Sequence, residues 1–119
     1  MLVLVVDDEP TLRTVCQRLF SAMGHLCESA ADVAGVIEQV KSHKFDLIIC
    51  DYRLGHETAK DVIAALQEVA PEQIANIVLS SGDSSGPEVA NLAEEHGLDI
   101  ISKPFGRVEL EELVTTKSS

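Results

Sequence analysis

The side chains of this chain best suited to one joint chemistry are the adjacent carboxylates Asp7 and Asp8, a third carboxylate at Asp51, the hydroxyls of Ser80 and Ser81, and the amine of Lys103. Two carboxylates about 4 Å apart repel by roughly 4 kcal/mol at an effective dielectric of about 20. Three in one cleft therefore call for protons or a cation. Oxygen ligands with access to water suit Mg²⁺, which is typically held by one or two carboxylates plus a substrate phosphate. A carboxylate beside such an ion can attack phosphorus and become an aspartyl phosphate. Lys103 would neutralise charge on the transferring phosphoryl group. A hydroxyl from Ser81, alternatively Ser80, would bind its oxygens, as would the backbone N–H groups of the Ser81-Gly82 turn.

These residues stand at the ends of predicted strands. Leu2-Val3-Leu4-Val5-Val6 is an unbroken apolar run, which predicts a strand buried on both faces. Asp7-Asp8 closes it, and Pro10 follows where the first turn of a helix tolerates proline. Phe45-Asp46-Leu47-Ile48-Ile49-Cys50 predicts a second strand of the same kind, apolar from Leu47 on, and ends in Asp51. A short strand is predicted at His25–Ser29, another at Ile74–Leu79 and a last one at Leu98–Ser102. Between them apolar residues recur at helical spacing: Leu12, Val15, Cys16, Leu19, Phe20 and Met23; then Val33, Val36, Ile37 and Val40; then Val62, Ile63, Leu66 and Val69; then Val89, Leu92 and Ala93; and finally Val108, Leu110, Leu113 and Val114. Gly24 and Gly97 read as helix ends, Thr58 as an N-cap, and Ser85 with Glu88 as a capping box. Gly35 weakens the second helix, Pro71 stops the third, and the tail Thr115–Ser119 reads as frayed.

Strand–helix repeated five times requires parallel strands with helix crossovers, and right-handed crossovers put helices on both faces. The predicted fold is a single α/β domain over residues 1–119, a doubly wound five-stranded parallel sheet of the flavodoxin-like order 2-1-3-4-5. Ligands of such sheets sit outside the carboxyl ends of the strands where the order reverses. Here that point lies between the strands ending in Asp7-Asp8 and in Asp51.

Composition narrows the function. The 119 residues have 45% hydrophobic and 24% charged side chains, enough for one core, and aromatics at only 3% make that core aliphatic. A formal charge of -11 opposes binding of nucleic acid or an anionic membrane and suits a cation or a basic partner. Cys16, Cys27 and Cys50 lack metal-like spacing, and an odd number gives no disulfide framework. With no membrane span and no basic leader pattern, a cytoplasmic location is expected.

The combined pattern resembles the receiver domain of two-component response regulators over about Leu2 to Val114. Val6-Asp7-Asp8-Glu9-Pro10 is similar to the family's acidic pocket, Asp51 before Tyr52-Arg53-Leu54 to its phosphoacceptor, and Lys103-Pro104-Phe105 to its lysine and the following, usually cis, proline peptide. The resemblance implies that a histidine kinase or phosphotransfer protein donates a phosphoryl group to Asp51 in a Mg²⁺-dependent reaction. It implies direct metal ligation by Asp8 and Asp51, a role for Asp7 through water, and ligation by the backbone carbonyl of Arg53. It further implies a switch on the face of helix four, strand five and helix five that controls an output partner, with no nucleic acid bound by the domain itself. Three positions depart from the family pattern. Both Ser80-Ser81 and Ser81-Gly82 fit the hydroxyl motif, Ser81 better by its distance from Asp51. Ile100 stands where an aromatic switch residue is common. Ala59 or Lys60 stands where a glycine is common. Arg53 and Asp83 flank the phosphoryl position and are expected to tune hydrolysis of the phosphate.

Singly, each residue has a plainer role: Asp7-Asp8 as helix caps, Asp51 as a turn residue, Lys103 as a solvated lysine. Two other functions compete. A Mg²⁺-dependent phosphatase with an Asp nucleophile usually has a second Asp two residues on, where this chain has Arg53. A receiver reduced to a scaffold would not be expected to keep all of Asp7, Asp8, Asp51 and Lys103. A nucleotide-binding fold would need a Gly-rich loop after the first strand, which is not there.

Overall fold

The computed structural model describes residues 1–82 and 86–118. Five strands, β1 (Leu2–Val6), β2 (Leu26–Ala30), β3 (Leu47–Asp51), β4 (Ile77–Ser81) and β5 (Asp99–Ser102), alternate with five helices. The helices are α1 (Pro10–Ala22), α2 (Val33–Ser42), α3 (Ala59–Val69), α4 (Pro87–His96) and α5 (Arg107–Ser118). The strands form one parallel sheet in the order β2-β1-β3-β4-β5, as the strand–helix alternation predicts.

Because successive strand side chains point to opposite faces, each apolar run feeds two cores. Leu4, Val6, Ile48, Cys50, Ile77 and Leu79 pack on one face against Val36, Val62, Leu66 and Leu92. Val3, Val5, Leu47, Ile49, Val78 and Ile101 pack on the other against Cys16, Phe20 and Leu110. This two-sided burial is why the three central strands, β1, β3 and β4, carry no polar alternation until their carboxyl ends. Burial pushes the thiol of Cys16 up to about 11, that of Cys27 up to about 12 and that of Cys50 higher still, so all three are protonated and unreactive near neutrality.

Several boundaries follow local chemistry. Thr58 caps α3 in a full capping box: its hydroxyl accepts from Lys60 N, and its own N–H donates to Asp61 Oδ2 at 2.9 Å. Asp32 caps α2 through Gly35 N at 2.8 Å. A Cβ at Gly35 would lie 3.1 Å from the Cβ of Ala30, so this helix-weakening glycine allows α2 to start close against the end of β2.

Three expectations need correction. β4 begins at Ile77 rather than Ile74, because Pro71–Asn76 winds into a 3-10 turn. Its side chains hold the backbone of Phe45: Gln73 Oε1 accepts from Phe45 N at 2.8 Å, and Asn76 Nδ2 donates to Phe45 O at 2.9 Å. A short apolar run does not tell such a turn from a strand. The expected loop from Tyr52 to Glu57 contains a small hairpin, Arg53–Leu54 against Glu57–Thr58. The tail expected to fray continues α5 to Ser118, with the Thr115 hydroxyl donating to Glu111 O at 2.9 Å. α4 opens with Gly86 at its N-cap; Ser85, proposed as half of a capping box, lies outside the described residues, as does Asp83. Among the described residues no helix is long and apolar enough to cross a membrane.

Candidate functional site

β1 and β3 are neighbours with Val6 opposite Cys50, so the next residue of each strand, Asp7 and Asp51, stands side by side at the carboxyl edge. Both continue the face lined by Val5 and Ile49, toward α1 and α5. β4 extends the row with Ser80 opposite Asp51. On β5, Ser102 lies opposite Ser81, and Lys103 N donates to Ser81 O at 2.8 Å, which holds the lysine at the same edge. The Lys103–Pro104 peptide is cis, the form the resemblance implies.

The side chains meet. Lys103 Nζ lies 2.8 Å from Asp7 Oδ2 and 3.1 Å from Asp51 Oδ2. One oxygen each from Asp7, Asp8 and Asp51 falls within 4.8 Å of the others. Asp7 is 1% exposed and Asp51 9%, whereas Asp8 is open to solvent. Asp7 Oδ1 also accepts from Glu9 N at 2.9 Å. A shallow cavity of about 380 Å³, lined by Glu9, Leu12, Lys103, Pro104 and Phe105, opens alongside.

Burial raises the Asp51 carboxyl above its ordinary value; the Lys103 hydrogen bond pulls it down, and the charges of Asp7 and Asp8 push it up again. Burial alone would lower the Lys103 ammonium, but its hydrogen bonds to Asp7 and Asp51 prevail and hold it above its ordinary value. The two directions agree with one count: three carboxylates against one ammonium leave two negative charges in excess. An all-oxygen donor set, one member open to water, with a deficit of two positive charges, fits a hard divalent cation such as Mg²⁺.

A pH dependence follows. The folded-state carboxyl of Asp51 titrates above its unfolded value, so its contribution favours the folded state below the unfolded value and is lost as pH rises through the folded one. In a chelator, Asp51→Asn should remove that component from a series of thermal unfolding curves across the acidic range. In Mg²⁺ the sign reverses, because the ligands must be ionised, and metal stabilisation should fade on acidification. Identical profiles with and without Mg²⁺ would show that these carboxylates hold no metal.

All of Asp7, Asp8, Asp51 and Lys103 come together as predicted. Ser80 is 1% exposed, while Ser81 is half-buried at the strand end. Arg53 stands two residues past Asp51, its guanidinium 3.3 Å from Glu88 Oε2 and 5.7 Å from the centre of the Tyr52 ring. Sequence reasoning missed two contacts, one made by Glu88, read only as a capping residue, and one by Arg13. Glu88 at the start of α4 pairs with Arg53, and Arg13 on α1 donates to the backbone carbonyl of Asp7 at 2.7 Å. The available signal for Arg13 was a cation in the first turns of a helix, against the helix dipole.

A family model described as the response regulator receiver domain matches residues 3–115. The transcriptional regulatory protein ZraR of Escherichia coli K12 is 35% identical over 104 residues, covering 87% of this chain. The chain spans only 23% of that regulator's length. A response regulator receiver protein from Pseudomonas putida superposes with a TM-score of 0.84 at 26% identity, covering 97% of this chain and 95% of its own. The receiver domain of the sensor histidine kinase PA1611 from Pseudomonas aeruginosa PAO1, which has a magnesium ion coordinated in its active site cleft, shares the fold. Its TM-score is 0.81 at 22% identity, over 99% of this chain and 98% of its own.

Proposed function

The chain belongs to the response regulator receiver domain family, a phosphoacceptor signalling domain of two-component systems, and on that premise we propose that Asp51 is the residue phosphorylated. The observation that carries this assignment is the cluster of three carboxylates with one lysine bonded to Asp7 and to Asp51, Asp51 standing at the carboxyl end of the central strand β3. A carboxylate oxygen of Asp51 attacks phosphorus of a phosphohistidine on a histidine kinase or phosphotransfer protein. The new P–O bond replaces the P–N bond, and the imidazole leaves with the electron pair and takes up a proton.

Asp8, Asp51 and the Arg53 carbonyl would hold Mg²⁺ directly, and Asp7 through water. The ion, when bound, screens the phosphoryl oxygens from the carboxylates and stabilises charge in the transition state. Lys103, already held between Asp7 and Asp51, is placed to follow a phosphoryl oxygen as it arrives. Ser81, half-buried at the strand end, would supply the hydroxyl, with Ser80, 1% exposed and opposite Asp51, as the alternative. The face of α4, β5 and α5 then carries the signal to an output partner in the cytoplasm. There Ile100, 41% exposed, replaces an aromatic switch by an aliphatic surface.

The test is intact mass after incubation with acetyl phosphate. A single phosphoryl adduct with Mg²⁺, and none with EDTA, is expected. The absence of an adduct, together with no Mg²⁺-dependent binding of beryllofluoride, would overturn the assignment.

A further inference from the structure

Of the three clustered carboxylates, two are held by Lys103, and among the described residues the third, Asp8, has no cation on it. Asp8 is also the exposed one. Without an ion, repulsion from Asp7 and Asp51 favours its turning outward. Its direction therefore depends on the backbone that carries it. That backbone is anchored at the preceding residue: Asp7 N donates to Ala30 O at 3.0 Å, and Asp7 O accepts from the Arg13 guanidinium at 2.7 Å. The Asp7 carbonyl belongs to the peptide linking Asp7 to Asp8, so the arginine grips the plane from which Asp8 projects.

Arg13 is the fourth residue of α1, near the end of the helix where the dipole disfavours a cation, and the acids at this helix start, Asp7, Asp8 and the N-cap Glu9, precede the first turn rather than stand in it. α3, α4 and α5 instead carry Asp61, Glu88 and Glu109 in their first turns. In a chain with 20 acidic and 9 basic residues, this guanidinium is directed at a backbone carbonyl.

We infer that Arg13 is a positioning residue that sets the direction of Asp8 as a metal ligand, an inference that rests on the Mg²⁺ site proposed above. Groups one step behind metal ligands commonly change metal affinity by about 10- to 100-fold when removed. Arg13→Ala should weaken Mg²⁺ binding about tenfold, read by calorimetric titration without a phosphodonor, alongside thermal unfolding in EDTA. Arg13→Lys, which keeps one donor able to reach the carbonyl, should recover part of the loss and secures the measurement if the alanine variant folds poorly. Arg18→Ala, exposed on the same helix, should bind as the parent does.

Parent-like affinity in both Arg13 variants, whatever their melting points, would overturn the inference and leave the metal site standing. A parent that binds no Mg²⁺, or binds it as well after Asp8→Asn, would overturn the site itself and the inference with it.

Discussion

Asp51→Asn should abolish the phosphoryl adduct entirely while raising the melting point of the metal-free protein. The chemical loss follows because an amide oxygen is no nucleophile toward phosphorus at neutral pH, and loss of a nucleophile costs on the order of 10³-fold or more. The gain in stability follows from competing charges. At an effective dielectric of about 20, attraction to Lys103 at 3.1 Å contributes about 5 kcal/mol. Repulsion from the buried Asp7, within 4.8 Å, costs about 3.5 kcal/mol, and that from the exposed Asp8 adds less because solvent screens it. Burial of the charge, with this repulsion added, outweighs the lysine contact, which is the balance that holds the Asp51 carboxyl above its ordinary value. The Asn side chain keeps an oxygen that can accept from Lys103 and removes the charge. Mass spectrometry and thermal unfolding on the same sample check both parts. A persistent adduct would move the acceptor elsewhere, and a fall in melting point would mean that the lysine contact outweighs the crowding.

Lys103→Ala should do the reverse. Asp7 and Asp51 would be left facing each other and Asp8 with no cation between them. Breaking a buried ion pair by removing one partner costs about 3–5 kcal/mol. The lysine side chain is 25% exposed, which places the expected loss at the lower end, about 3 kcal/mol. For a chain of this length that is a fall of roughly 10 °C in melting temperature in EDTA. Mg²⁺ should then stabilise the variant by more than it stabilises the parent, because the uncompensated carboxylates attract the ion more strongly. Melting curves of both proteins in EDTA and in saturating Mg²⁺ test this. An equal metal increment in the two would show that Lys103 and the ion do not share the same carboxylates.

Arg53 and Glu88 show a different use of charge. Their pair is half exposed, so it contributes little to stability. It does join the loop after Asp51 to the first turn of α4, which belongs to the face assigned to output. The hydrolysis-tuning role expected of Arg53 would thus be exercised by a side chain already engaged with α4.

Much of this molecule was legible along the chain. The runs Leu2–Val6 and Leu47–Cys50 have no polar residue because both faces of a central parallel strand are covered, and that is a property of composition alone. Helical stripes between them required crossovers, and crossovers required parallel strands. Asp7 and Asp51 were legible for the same reason, since each breaks an apolar run at its carboxyl end, while Asp8 follows directly on Asp7 and Lys103 stands just past the end of the last strand.

The local signals failed where a partner far along the chain decides. Ile74 looked like strand, but its neighbours are held by Phe45, distant in sequence, whose N–H donates to Gln73 and whose carbonyl accepts from Asn76. Gly35 looked like a weak point in a helix, and its use lies in the Cβ of Ala30 pressed against it. Sequence by itself determined the five strand–helix units and the residues that close the central strands, because hydrophobic period and capping chemistry are properties of neighbouring residues; it did not determine the 3-10 turn, the small hairpin or the end of α5. Only the tertiary structure decided that Lys103 would bond Asp7 across 96 residues and that Arg13 would hold the Asp7 carbonyl. Such contacts depend on strand order and register, and a one-residue shift of either strand would turn those side chains to the opposite face of the sheet.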